Sequence, residues 1–99
     1  MDALTRQLHT FLLRLHYQPE TVSHQMQHYV EHLICLLQPE DEEAILHYFG
    51  ILGHEQLSLG DIAHERGLSP EVMIEQIDQN LRRLAVTPEW QMMKETLNP

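Results

Sequence analysis

Ser69-Pro70-Glu71 and Thr87-Pro88-Glu89 each place a hydroxyl, a proline and an acid in succession. A hydroxyl can cap the first free amides of a helix, proline is suited to the first helical position, and an acid in the opening turn complements the positive end of the helix dipole. The two triplets therefore fix two helix starts. Gln38-Pro39, followed by Glu40-Asp41-Glu42-Glu43, fixes a third in the same way, so the acidic run reads as a helix opening rather than a metal or partner site. Gln18-Pro19-Glu20 ends one helix and lets the next begin.

Between these marks the apolar residues recur at helical spacing, with no strand-like alternation, repeat or low-complexity tract. Leu4, Leu8, Phe11, Leu12 and Leu15 make a stripe on a first helix; Val22, Met26, Tyr29, Val30, Leu33 and Leu37 make one on a second, so the two are expected to pack as a hairpin. Gly50 and Gly53 close a third helix. Ser58, with Asp61 three residues on, opens a short fourth that runs to about Arg66, and Gly67 supplies a turn. A long fifth helix then runs to about Ala85, and a final one from Pro88 to about Leu97. The expected fold is all-α: an N-terminal helical hairpin, residues 1–38, packed on a four-helix helix-turn-helix module, residues 39–99, in one compact domain.

The 99 residues carry 42% apolar side chains, enough for one modest core, and no apolar run approaches the roughly 18 residues of a spanning helix. No signal-peptide pattern opens the chain, and its single Cys35 excludes an internal disulfide framework, so a cytoplasmic protein without membrane association is expected. Fifteen acids oppose six bases; the net charge is -9, spread as -6 over residues 1–57 and -3 over 58–99. That balance disfavours non-specific DNA binding. No phosphate-binding glycine loop, nucleophile elbow or His-Glu-x-x-His is present, so neither an enzyme nor a cofactor is expected.

A short capped helix, a Gly67-Leu68 turn and a longer helix from Ser69 form a helix-turn-helix unit, whose second helix can lie in the major groove. Around it, Ala44 to Ile51, Leu57 to Ala63, Gly67-Leu68-Ser69, Leu81-Arg82-Arg83-Leu84 and Thr87-Pro88 with Leu97 are spaced with little or no gap. From Pro39 to Leu97 the chain resembles region 4 of the sigma factors of bacterial RNA polymerase, the part that reads the upstream promoter element. A shorter resemblance, Ile62 to Ser69, is to the helix-turn-helix that ends some helicases. The sigma resemblance implies a transcription-associated module with DNA, RNA polymerase or another regulator as partner. The chain is too short for a complete sigma factor. It also departs from the family where arginines and a polar pair would contact DNA: the matching positions hold Pro70, Glu71, Val72, Ile74 and Glu75. Arg66 stands where the family places a buried leucine, and its stem is expected to cover apolar surface while its head reaches water.

Periodicity puts Met73, Ile77, Leu81 and Leu84 on the core side of the fifth helix. Opposite lie Val72, Glu75, Gln76, Gln79, Arg82 and Arg83. Gln76 and Gln79 are candidates for adenine, Arg82 and Arg83 for phosphate; the same arginines also suit the negative end of the helix dipole. The first expectation is a transcription-associated, DNA-binding regulator; the alternative is an acidic protein-protein interaction module that keeps the fold without DNA binding. On the second helix His24, His28, His32 and Cys35 share one face, a candidate set of metal ligands that equally suits a pH-sensitive or partner-binding surface. Trp90, Met92 and Met93 read as core or interface residues. Leu13, expected to be exposed opposite the first stripe, points to a homodimer contact.

Overall fold

The computed structural model describes residues 1–97: six α-helices, with no strand among the described residues. Helix α1 (Ala3–Tyr17) starts where Asp2 Oδ1 accepts the Thr5 N–H at 2.8 Å and ends at Gln18, ahead of Pro19. Its buried side is Thr5, Leu8, Phe11, Leu12 and Leu15, successive residues of one stripe. Leu4 is half-buried beside them. Leu13, expected on the exposed outer face, is half-buried and packs against the core.

A 3₁₀ turn, Pro19–Thr21, leads to α2 (His24–Ile34). The start of α2 is set by Ser23, whose Oγ accepts the Met26 N–H at 3.1 Å. The helix is therefore shorter than the apolar spacing suggests. Val22 lies ahead of it in extended backbone and Leu37 beyond its end, although both pack on the core. Tyr29, expected inward, is 42% exposed, and Gln25 Nε2 donates to its hydroxyl at 2.9 Å.

Helix α3 (Pro39–Phe49) opens on Glu40, Asp41 and Glu42 and stops at Gly50, whose φ of 64° lies in the left-handed region. The following loop is held by histidines. A carbonyl only accepts, so His16 Nδ1–H donates to Gly50 O at 2.9 Å and His47 Nδ1–H to Glu55 O at 2.8 Å. Helices α4 (Leu59–Arg66), α5 (Pro70–Ala85) and α6 (Pro88–Leu97) start where the caps predict, and α4 stops ahead of Gly67. Ser58, Ser69 and Thr87 each accept, through the side-chain oxygen, the backbone N–H three residues on, at 3.1, 3.2 and 3.2 Å. Gly67, φ 67°, makes the turn between α4 and α5.

Helix α5 is the centre of the fold. Its inward residues Met73, Ile77, Leu81 and Leu84 are at most 1% exposed, as the periodicity predicts, and α1 and α4 lie along it most extensively, with α3 and α6 beside them. The expected N-terminal hairpin is not the main packing of either of its helices: α1 packs chiefly on α5, and α2 against α6. One apolar cluster runs through residues on both sides of position 38, from Leu8 to Met93.

Candidate interaction face of the fifth helix

The outer side of α5 is built by the same cap that starts the helix. Ser69 and Pro70 fix the first turn, and at about 100° per residue the inward stripe leaves Glu71, Glu75, Asp78 and Arg82 within about 60° of one another. They form a ridge along the middle of the exposed side. On one flank of the ridge stand Val72, Gln76, Gln79 and Arg83; Ile74 stands on the other. Val72 and Ile74 remain 41% and 37% exposed. The ridge is not basic. Its only cation, Arg82, places Nε 3.2 Å from Asp78 Oδ2 one turn earlier.

Of the four residues proposed for DNA contact, the structure leaves two open and engages two. Gln79 and Arg83 are exposed, one turn apart, and neither side chain has a hydrogen-bond or ion-pair partner among the described residues. Arg82 is paired with Asp78. Gln76 is half-buried, and its Oε1 accepts from Arg66 Nη2 at 3.4 Å.

Arg66 thus has a role that the sequence alone does not define. The head does not run out to water. It lies over the start of α3, donating to Glu40 O at 3.2 Å and standing 3.5 Å from Asp41 Oδ1 and 3.7 Å from Glu40 Oε2. Only 22% of the side chain is exposed. One guanidinium therefore ties the end of α4 to both α3 and α5, and the carboxylates at the opening of α3 serve it as well as the helix dipole.

The histidine face of α2 comes together only in part. His28 Nε2 and His32 Nε2 are 3.2 Å apart, with the rings edge to face. His24, one turn earlier, is exposed and makes no contact with them among those described. Cys35 caps the C-terminal end of the helix and turns toward α3, its Sγ 3.7 Å from Glu42 Oε1. Desolvation first, then the carboxylates of Glu42 and Glu31, push the thiol above its ordinary pKa. Although Cys35 is exposed, these carboxylates make it a poor source of thiolate. Among the described residues no three His, Cys, Asp or Glu side chains are grouped to hold a metal ion.

The C-terminal trio divides as well. Trp90 and Met93 are buried, whereas Met92 is 70% exposed and joins Tyr29, His32 and Leu33 in a shallow cleft between α2 and α6. No described helix is long and apolar enough to cross a membrane. No protein-family model, curated protein or solved structure matches the chain.

Proposed function

We propose that this chain is an acidic protein-interaction module on the helix-turn-helix plan of sigma region 4, and that its fifth helix meets protein rather than DNA. The observation that carries this reading is the Asp78–Arg82 pair at 3.2 Å, set on a ridge that also holds Glu71 and Glu75. Helix-turn-helix readers approach base edges with the N-terminal part of the second helix, and their affinity rests on neutralised phosphates. Here that part is acidic, and the only arginine of the ridge is already paired with Asp78. Exposed Val72 and Ile74 beside the acids suit a partner surface with apolar and basic side chains. The resemblance to sigma factors makes RNA polymerase or a transcription regulator the partner to try first.

The alternative, a DNA-binding regulator, draws its support from Gln79 and Arg83, both open to solvent. Fluorescence anisotropy with a labelled mixed-sequence duplex separates the two, at low and then at physiological salt. The interaction reading expects no binding at either salt, together with measurable binding of purified bacterial RNA polymerase that Glu75→Lys combined with Ile74→Ala weakens. Salt-sensitive DNA binding that Arg82→Ala and Arg83→Ala abolish would overturn it in favour of the alternative. Binding of neither DNA nor polymerase would remove the transcription assignment.

A further inference from the structure

We propose that His28 and His32 form a two-point chelate for a divalent transition-metal ion of the zinc, nickel or copper class on the outer face of α2. The inference is independent of the face on α5. The two Nε2 atoms stand 3.2 Å apart, and the rings meet edge to face with centroids 4.7 Å apart. Two Zn–N bonds of about 2.05 Å would close that gap at an angle of about 103°, between the octahedral and tetrahedral values. The spacing of one helical turn presents both rings without any change of backbone. The other nitrogen of His28 faces Glu31 Oε2 at 3.8 Å, the side from which a carboxylate orients a metal-bound imidazole.

Imidazole nitrogen suits these three ions better than magnesium or calcium, which take oxygen. His24 and Cys35 lie outside the pair, and no third His, Cys, Asp or Glu joins it among the described residues. The ion therefore keeps open positions for water or for a group on a partner. The hydrogen bond between the two nitrogens uses the same geometry; metal binding replaces it, with the ring proton carried on Nδ1 so that both Nε2 lone pairs face the ion.

Isothermal titration calorimetry tests the pair. Zinc chloride and, separately, nickel chloride are titrated into the full chain and into His28→Ala, His32→Ala and His24→Ala. The three side chains are exposed, so none of the substitutions opens the core, and circular dichroism checks each variant. One-to-one binding is expected, weakened about tenfold or more in His28→Ala and in His32→Ala and unchanged within about twofold in His24→Ala. Absence of binding at millimolar metal would overturn the proposal. So would unchanged affinity in both paired variants, or an equal loss in His24→Ala, which would mean a diffuse histidine array.

Discussion

Gly50 and Gly67 end α3 and α4 with nearly the same backbone, φ 64° and 67°, but in different surroundings. A methyl group at Gly67 would meet nothing within 4 Å, whereas at Gly50 it would stand 2.6 Å from Gln56 Cβ, 3.0 Å from His16 Nδ1 and 3.1 Å from Gln56 Cα. Alanine at either site has the left-handed backbone cost, about 1–2 kcal/mol. Gly67→Ala should lose that amount and little else. Gly50→Ala must also displace a backbone segment and disturb the His16 hydrogen bond to Gly50 O, which adds about 1–3 kcal/mol by the usual cost of overpacking. The expected losses are thus about 1–2 and about 2–5 kcal/mol, out of the roughly 5–15 kcal/mol that holds a small domain together. In melting temperature each kcal/mol is about 4–8 °C at this size. Urea unfolding followed by circular dichroism, with the transition checked for two-state behaviour, measures both. Losses equal to within about 0.5 kcal/mol, the scatter expected of independent sites, would refute the reasoning, because the loop packing at Gly50 would then contribute nothing.

Three further outcomes follow from the same geometry. Ile45→Ala, at a site with no exposure, should cost about 2–5 kcal/mol in urea unfolding, while Tyr29→Ala, at 42% exposure, should stay within about 1 kcal/mol. Cys35 should react with iodoacetamide more slowly than a free thiol near pH 8, and Glu42→Gln should quicken it, since the nearby carboxylate disfavours thiolate. Asp2 has its pKa lowered by accepting the Thr5 backbone N–H, so its charged form contributes stability above the ordinary carboxylate range that is lost as pH falls through the lowered value. Asp2→Asn keeps an acceptor at the cap and should lessen the fall in the urea midpoint between about pH 5 and pH 2.

The starts of α4, α5 and α6 are legible because each has a side-chain cap, joined by a proline in α5 and α6, and the end of α4 because of Gly67; such signals act over three or four residues. The start of α2 is not legible, because Gln18-Pro19-Glu20 is as good a start signal as Ser23, and the chain spends it on a 3₁₀ turn instead. Periodicity found the buried side of α5 but could not name its partner. It says which residues turn inward, not which helix they meet, so the stripe of α1 pairs as readily with α2 on paper as with α5, the helix it meets. The site shows the same boundary. That the exposed side of α5 lacks bases is plain in the sequence; that Arg82 is held by Asp78 is a one-turn relation open to inspection. The reach of Arg66 to Glu40 and Asp41, across some 25 positions, is decided by packing alone.

The packing of α1 on α5 also bears on how the chain is made. The roughly 50 residues between Tyr17 and Pro70 take on the order of 3–10 s to synthesise. During that interval the stripe of Leu8, Phe11, Leu12 and Leu15 has emerged without the helix that will cover it. A nascent chain of this design waits with its greasy side unclaimed until the fifth helix follows it out.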